Sequence, residues 1–294
     1  MTRGSLSVIH IKLFLTAFFW GGTFIAGRIV AKDVGPCSAA FLRFAIASIL
    51  FLFLLWKANG KLTVIKKKQF FPLILLGMTG IFTYNIFFFK GLSLINAGRA
   101  SLIIANNPVF ITLLSAYFFK EKLNLIKISG VIISVIGAII VISRGNFNEI
   151  FNGGLGWGEF YILFCVGSWV TFSLIGKSIM NNLSPLVSVS YASVIGTIAL
   201  FIPAYLEGLT ENILDYPFDA WLAIFYLGFF GTVLGFFWYY EGIKSVGPMK
   251  ASQFINFVPI SAIIIAFFIL GESITPSLAI GAMLVISGVY LTNR

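Results

Sequence analysis

A few polar side chains interrupt long apolar stretches of this sequence, and their types suit the binding of a small polar compound. They are Arg43, Asn106, Asn107, Gln253 and Asn256. An arginine can pair with a carboxylate, and an amide deep in an apolar helix either joins helices or binds a polar ligand. We assign Asn106 and Gln253 to ligand binding, whereas both roles stay equally open for Asn107.

Aromatic residues accompany these polar groups. Trp20 and Trp169 occupy corresponding positions of two similar stretches, and Tyr84 lies mid-stretch, so all three are candidates for the wall of a cavity that suits a partly apolar substrate. Tyr239 and Tyr240 lie near the end of their stretch and are assigned to an interfacial belt. The complete set assigned to substrate binding is Trp20, Thr23, Arg43, Tyr84, Asn85, Asn106, Trp169, Trp238, Gln253 and Asn256.

Two charged residues in or beside apolar stretches call for a role. Burying Arg43 in lipid costs at least ~2.5 kcal/mol, so it is expected to face the interior, where it could pair with a substrate carboxylate; snorkelling to the outer face and structural bonding to loop carbonyls are the alternatives. Proton-coupled carriers usually hold an intramembrane carboxylate, and Glu159 is the best candidate here. Facilitated exchange without protons stays open.

Two prolines stand at corresponding positions of apolar stretches. Pro108 and Pro259 lack a backbone donor and free the carbonyls of Ile104 and Ile255, four residues earlier. In lipid such a carbonyl must face protein, water or substrate. We assign the prolines to kinks that line a pathway and help the helices bend; the alternative is a packing kink satisfied by a neighbouring side chain.

The elements that must position these residues are membrane helices. Hydrophobic residues make up 59% of the 294 residues, charged residues 10%, and the mean hydropathy is +1.00. Soluble domains are nearer a quarter charged. The net charge of +10 could suggest nucleic acid, but lysines and arginines retained in cytoplasmic loops explain it in a membrane protein. The composition predicts an all-α integral membrane protein, and we expect no nucleic acid, cofactor or metal.

Ten stretches approach the roughly 20 apolar residues that cross a bilayer. We call them segments 1 to 10, and they cover about residues 11–31, 36–56, 70–90, 98–119, 126–143, 158–178, 185–206, 219–241, 249–270 and 275–292. With the N-terminus inside, most of the 20 lysines and arginines fall on one side. Both termini are therefore predicted to be cytoplasmic.

The two halves of the chain resemble each other. A shift of 151 residues aligns Gly77, Gly80, Gly91, Ala100, Ser101, Ile104, Pro108, Glu121, Gly130 and Gly137 with Gly228, Gly231, Gly242, Ala251, Ser252, Ile255, Pro259, Glu272, Gly281 and Gly288. A shift of 149 residues aligns Trp20 with Trp169. Each half, 1–148 and 149–294, holds five segments, so the halves must lie in opposite orientations. Inverted repeats of this kind are typical of secondary transporters, which bind substrate between the repeats.

Several short motifs follow one another in a characteristic order. They are Trp20-Gly21-Gly22-Thr23-Phe24, Pro36 followed by Arg43-Phe44, the series Gly91, Ala97, Ala100-Ser101, Pro108, Glu121, Gly130 and Gly137, and its second copy ending in Gly271-Glu272, Gly281 and Gly288. With them, essentially the whole chain resembles ten-helix EamA-type members of the drug/metabolite transporter superfamily. The resemblance implies export or exchange of small metabolites, often amino acids, through a central cavity, with segments 5 and 10 at the periphery.

The combined prediction is a secondary transporter of small metabolites, an exporter or exchanger that works by alternating access. Amino acids or related compounds lead as substrates because of Arg43 and the aromatic cavity; an S-adenosylmethionine or nucleoside-type metabolite, a channel and a lipid scramblase are the alternatives. An enzyme is not expected, because the single histidine, His10, lies at the edge of segment 1. A bacterial inner membrane is the expected location, and both a monomer and a homodimer fit the sequence.

Overall fold

The chain folds into a bundle of helices. A computed structural model describes residues 3–119, 124–143, 156–179, 183–246, 251 and 253–292. Within these ranges the regular structure is entirely helical. The protein is therefore an all-helical membrane protein, in agreement with its composition.

In the first half, the helices begin and end within a few residues of the predicted segments, apart from an earlier start of segment 1. They are Arg3–Val30 in segment 1, Pro36–Asn59 in segment 2, Lys67–Leu76 and Tyr84–Leu94 in segment 3, Ala97–Ile104 and Asn107–Phe119 in segment 4, and Leu125–Ile142 in segment 5. A π-helical stretch, Gly77–Thr83, joins the two α-helices of segment 3.

The second half follows the same plan. Its helices are Trp157–Ile179 in segment 6, Pro185–Leu206 in segment 7, Phe218–Tyr226 and Gly235–Val246 in segment 8, Phe257–Leu270 in segment 9 and Pro276–Thr292 in segment 10. A π-helical stretch, Leu227–Leu234, lies inside segment 8, and a 3₁₀ turn, Gln253–Asn256, begins segment 9. A short helix, Leu209–Asn212, connects segments 7 and 8.

The helix ends follow local sequence signals. Pro36 and Pro185 occupy first turns, where a missing N–H costs nothing. Ser184 caps segment 7 with its hydroxyl oxygen. Gly60 and Gly271 end segments 2 and 9 with φ of 68° and 65°, a left-handed conformation that glycine adopts without a side-chain clash.

Among the residues that the structure describes, seven helices are long and apolar enough to cross a membrane: Ser7–Val30, Pro36–Ala58, Lys67–Leu94, Ala97–Leu114, Trp157–Gly176, Pro185–Leu206 and Phe218–Val246. Three further apolar helices, Leu125–Val141, Phe254–Leu270 and Pro276–Leu291, are shorter. A helix of roughly 17 residues extends about 25 Å, slightly less than a hydrocarbon core of about 30 Å.

Segments 5 and 10 lie beside the main core. That core draws buried side chains from the other eight segments and includes the fully buried Phe44, Phe51, Phe88 and Phe89. Segments 5 and 10 pack against each other, and Val141, Val285 and Val289 join residues of segment 4 in a separate, smaller cluster.

Segments 5 and 10 approach closely through glycines, and this contact predicts a stability effect. A Cβ on Gly288 would meet the backbone nitrogen of Ser134 and lie 2.6 Å from the carbonyl oxygen of Gly130. Because backbone cannot rotate away, Gly288→Ala is expected to lower the free energy of unfolding by about 1–3 kcal/mol. Thermal unfolding of the detergent-purified protein measures this.

The matched control is Gly167→Ala in segment 6, where a Cβ would meet nothing within 4 Å. Alanine is the better helix former, so this variant is expected to be neutral or up to about 1 kcal/mol more stable. Equal unfolding temperatures for the two variants would contradict the close packing of segments 5 and 10.

Candidate functional site

A small cavity lies in the centre of the bundle, between the two halves of the chain. Its volume is about 50 Å³, and it is lined by Trp20, Thr23, Phe24, Arg43, Tyr84, Phe88, Ile104, Asn107, Trp169, Phe236, Ile255 and Val258. A water molecule needs about 10–15 Å³, whereas small-molecule sites usually measure about 300–1,000 Å³. The cavity must therefore widen before it can take up a metabolite.

Arg43 brings a positive charge into the cavity wall. Its side chain is buried, with 4% of its surface exposed. Its Nε donates a hydrogen bond to Thr232 Oγ1 at 2.9 Å, and Nη1 donates to Asn85 Oδ1 at 3.0 Å. The ion pairs found in the described part of the chain involve other cations: Lys12 with Glu241, Arg28 with Glu272 and Arg99 with Glu159. Neutral groups therefore hold the guanidinium inside the bundle, away from the outer face.

Thr232 lies in the π-helical stretch of segment 8, and Asn85 is the second residue of the α-helix that follows the π-helical stretch of segment 3. The Thr232 hydroxyl donates to the carbonyl of Leu227, five residues earlier, at 2.8 Å, which leaves its oxygen to accept from the arginine. The Asn85 amide nitrogen donates to the carbonyl of Ile81 at 2.8 Å, which leaves Oδ1 for the same purpose. Such π turns are frequent at functional sites. Sequence reasoning included Asn85 and missed Thr232, because a threonine in an apolar helix usually bonds only its own backbone.

Aromatic rings form much of the remaining wall. The rings of Trp20 and Trp169 meet edge to face with centroids 5.6 Å apart, and Trp169 also contacts Tyr84 at 5.4 Å and Phe236 at 5.5 Å. The Trp20 indole donates to the carbonyl of Gly231 at 2.9 Å, which joins segment 1 to segment 8. The wall therefore offers flat apolar surface, while the indole of Trp20 is already satisfied by protein.

Thr23 contributes a polar edge to the same wall. Its hydroxyl donates to the carbonyl of Trp20 at 2.6 Å, within segment 1. The hydroxyl oxygen then retains only its acceptor capacity towards the cavity.

The aromatic residues of segment 8 are placed differently from the sequence prediction. Trp238 lies outside the cavity lining and contacts Phe19, with ring centroids 6.1 Å apart, whereas Phe236 lines the cavity. Tyr239 and Tyr240 are buried, so their assignment to an interfacial belt is wrong. The extra residue of the preceding π turn rotates the rest of the helix by roughly 100°, which a regular helical count does not include.

Segment 4 is broken just before its proline, and the break separates two neighbouring asparagines. Asn106 lies outside the cavity lining; its Oδ1 accepts from Ser134 at 2.8 Å and its Nδ2 donates to the carbonyl of Leu102 at 3.0 Å. Its amide thus joins segments 4 and 5, which corrects its assignment to the ligand. Asn107 lines the cavity instead, and its buried Oδ1 has no hydrogen-bond partner among the described residues.

Each of the two prolines lies in the first turn of an α-helix and not in the middle of a continuous one. Pro108 is the second residue of Asn107–Phe119, and Pro259 is the third residue of Phe257–Leu270. Proline is tolerated in a first turn because that N–H needs no helical partner. Because proline has no backbone N–H, the carbonyls of Ile104 and Ile255 receive no hydrogen bond from Pro108 and Pro259. Ile104 and Ile255 both line the cavity.

Asn256 of segment 9 lies away from this cavity. Asn256 lines a lateral pocket of about 530 Å³ between segments 9 and 10, together with Phe257 and Tyr290. The neighbouring Ile255 lines the central cavity, whereas Asn256, which the sequence assigned to substrate binding, lines this lateral pocket. The side chain of Gln253 lies outside the described residues.

Glu159 is held in a buried ion pair. Its carboxylate lies 2.8 Å from Arg99 Nη2, with 2% and 8% of the respective residues exposed. The pair joins the start of segment 6 to the start of segment 4, outside the cavity lining. Sequence spacing could not identify this partner, because the two residues are far apart in the chain.

Known proteins resemble this chain over nearly its whole length. The model of the EamA-like transporter family matches residues 8–143 and again residues 156–294. The uncharacterized transporter YyaM of Bacillus subtilis is 30% identical over 285 residues, covering 97% of this chain and 93% of that protein. A probable terminal-alkyne amino-acid exporter of Streptantibioticus cattleyicolor is 27% identical over 295 residues, covering 96% of this chain and 92% of that protein.

The fold has a counterpart among solved structures. A crystal structure with 20% sequence identity superposes with a TM-score of 0.68 and covers 97% of this chain and 98% of its own. An uncharacterized transporter of Archaeoglobus fulgidus is 30% identical over 286 residues, covering 97% of this chain and 98% of that protein. The two family-model matches and these relatives show that the chain belongs to the EamA-like transporter family, whose members are membrane transporters of small molecules.

Proposed function

We propose that this protein is a secondary transporter of small metabolites that carry a carboxylate, with amino acids and related compounds as the leading substrates. The observation that carries the proposal is Arg43, a buried cation on the cavity wall that is held by the neutral Asn85 and Thr232. An ionisable residue inside a membrane bundle is costly to bury and usually marks a substrate or ion pathway. A carboxylate that enters the cavity would compensate this charge, and a planar guanidinium can bind it with two parallel hydrogen bonds.

The rest of the wall fits the remainder of such a substrate. The rings of Trp20, Tyr84, Trp169 and Phe236 offer apolar surface to a side chain. The Streptantibioticus cattleyicolor relative, named a probable amino-acid exporter, supports the same substrate class for this chain.

An architecture of ten spans in two inverted repeats, 1–148 and 149–294, supports transport by alternating access. The π-helical stretches Gly77–Thr83 and Leu227–Leu234 begin 150 residues apart, one residue less than the shift that aligns the two halves. A contact between segments repeats as well. Lys12 pairs with Glu241 at 2.8 Å. Lys12 corresponds to Tyr161 and Glu241 corresponds to Lys90, and these two residues also meet, with Lys90 Nζ 5.8 Å from the centroid of the Tyr161 ring. Two similar packings, one open to each side, follow from such duplication.

The central cavity is small, about 50 Å³, so transport requires the two packings to widen it. The breaks before Pro108 and Pro259 interrupt segments 4 and 9 at the cavity, and are natural points for bending. The bias of lysines and arginines supports cytoplasmic termini, and relatives in bacteria and archaea support a cell-membrane location, the inner membrane in a bacterium.

Counterflow in proteoliposomes tests the proposal. Vesicles preloaded with unlabelled L-leucine, L-methionine or L-phenylalanine are expected to take up the same labelled amino acid in a saturable way, faster than empty vesicles. Linear flux without trans-stimulation would indicate a channel, and competition by adenosine, which has no carboxylate, but by no amino acid would indicate the nucleoside-type alternative. Either outcome contradicts the proposed substrate class or mechanism.

A further inference from the structure

The cavity wall is chemically unequal at positions that the repeat makes equivalent. Trp20 corresponds to Trp169, and Ile104 corresponds to Ile255, so these pairs are identical. A third pair differs: Asn107 corresponds to Val258, and both line the cavity.

The hydroxyl, amide and guanidinium groups of the lining therefore come from one half of the chain. They belong to Thr23, Arg43, Tyr84 and Asn107 in residues 1–148. The lining residues of 149–294 are aromatic or aliphatic: Trp169, Phe236, Ile255 and Val258. Residues 1–148 supply apolar groups to the lining as well, so the asymmetry lies in where the polar end of a substrate can bind.

Asn107 supplies an acceptor that the described protein does not use. Its side chain is 2% exposed, and its Oδ1 has no hydrogen-bond partner among the described residues. Leaving a buried acceptor unpaired costs the free energy of its desolvation, so a donor on a ligand would relieve that cost. Asn107 and the cationic Arg43 line the same cavity. Arg43 can therefore bind an anionic group of a ligand, and Asn107 can accept a hydrogen bond from a donor.

The backbone of segment 4 adds to this acceptor. The half-helix Ala97–Ile104 ends at the cavity, and the C-terminal end of a helix carries a partial negative charge. Pro108 has no N–H to offer the carbonyl of Ile104. In transporters, such half-helix ends and freed carbonyls are suited to cations.

We propose that Asn107 is a specificity-determining residue that binds the ammonium group of the substrate while Arg43 holds its carboxylate. The substrate is then a zwitterionic α-amino acid whose side chain faces the apolar wall formed by residues 149–294. This inference rests on the proposed function and adds to it a requirement for the amine.

Pairs of compounds that differ only in the amine test the assignment. Counterflow of labelled L-phenylalanine and L-leucine is measured in competition with 3-phenylpropionate and 4-methylpentanoate, their deaminated analogues. The wild type is expected to prefer each amino acid over its analogue by roughly 10–100-fold, the range that a hydrogen bond to a charged group supports. Asn107→Leu, similar in shape, is expected to reduce this ratio to within about threefold of unity while the analogues still compete.

Two variants serve as matched controls. Asn106→Leu removes the neighbouring amide, which binds Ser134, and is expected to leave the preference for the amine unchanged. Val258→Asn places an amide at the equivalent position of the other half and is expected to leave the ratio within threefold of the wild type. If Asn107→Leu does not fold, as judged by size-exclusion chromatography, Asn107→Ser replaces it and is expected to lower the ratio at least threefold.

The outcomes separate the two proposals. An unchanged ratio in the folded Asn107 variants overturns the role of Asn107, and so does a wild type that carries both members of each pair equally. In either case, the proposed function stays supported if transport of carboxylates depends on Arg43. A wild type that carries none of these carboxylates overturns both proposals.

Discussion

Replacing Arg43 by methionine is expected to reduce transport of carboxylate substrates by at least about 30-fold, and by as much as several thousand-fold. Removing one partner of a buried charge pair costs about 2–5 kcal/mol, and every 1.4 kcal/mol is a factor of ten. The substrate carboxylate would lose its compensating charge in a cavity lined by rings and aliphatic side chains. The ratio of maximal rate to apparent KM in proteoliposome counterflow measures the loss.

Arg43→Lys separates the charge from its geometry. Lysine keeps the positive charge but cannot reproduce the planar fork that reaches Thr232 and Asn85 at once. We expect partial activity, with a raised apparent KM and a smaller change in the maximal rate.

A control arginine distinguishes loss of binding from loss of folding. Arg28 donates to the carbonyl of Leu92 at 2.8 Å and does not line the cavity, so Arg28→Met is expected to keep most transport activity. Arg43→Met also removes the cost of burying a charge, so its unfolding temperature is expected to stay near that of the wild type. Full activity of a folded Arg43→Met protein would overturn the assignment of Arg43 to the substrate.

Breaking the ion pair between Arg99 and Glu159 is expected to destabilise the protein by about 3–5 kcal/mol, because the remaining charge stays buried without its partner. Arg99→Met and Glu159→Gln each remove one charged member of the pair and leave the other buried without its partner. Because the pair joins segments 4 and 6, the loss is expected to loosen one half against the other. Unfolding of detergent-purified variants measures the change.

The double variant Arg99→Met/Glu159→Leu tests whether the two residues act as a pair. Replacing both charges by apolar groups is often close to neutral, so the double variant is expected to recover most of the stability lost by Arg99→Met. If the double variant instead loses as much unfolding free energy as the two single variants together, the residues act independently.

The same variants test the sequence-based assignment of Glu159 to proton coupling. A structural ion pair predicts that Glu159→Gln loses stability and keeps the pH dependence of whatever transport remains. A proton carrier predicts the reverse: normal stability and a flattened pH dependence. The short contact with Arg99 favours the structural role.

Much of the helical framework could be predicted from the sequence because its signals are local. Apolar runs bounded by charged residues place the segments, and Pro36 and Pro185 mark two helix starts. The duplicated residues also indicated which prolines correspond. In each case the evidence lies within a few dozen neighbouring residues, or in a repeat that can be read by alignment.

Parts of the site could not be predicted in this way. Asn106 and Asn107 are adjacent and chemically identical, and only the break between Ala97–Ile104 and Asn107–Phe119 turns one towards segment 5 and the other towards the cavity. For a related reason, Trp238 was assigned to the cavity although Phe236 lines it. A π turn cannot be recognised in an apolar run, and it rotates the part of the helix that follows it.

The sequence by itself determined that this chain is a membrane protein, where its helices lie, and that one arginine stands inside them, because hydrophobic burial in a bilayer depends on each stretch separately. The tertiary structure alone decided which side chains meet: Arg43 with Thr232 and Asn85, and Glu159 with Arg99. These contacts join residues from different segments. Their geometry depends on helix breaks, on close packing and on the rotation of each helix, and none of these has a period that the sequence displays.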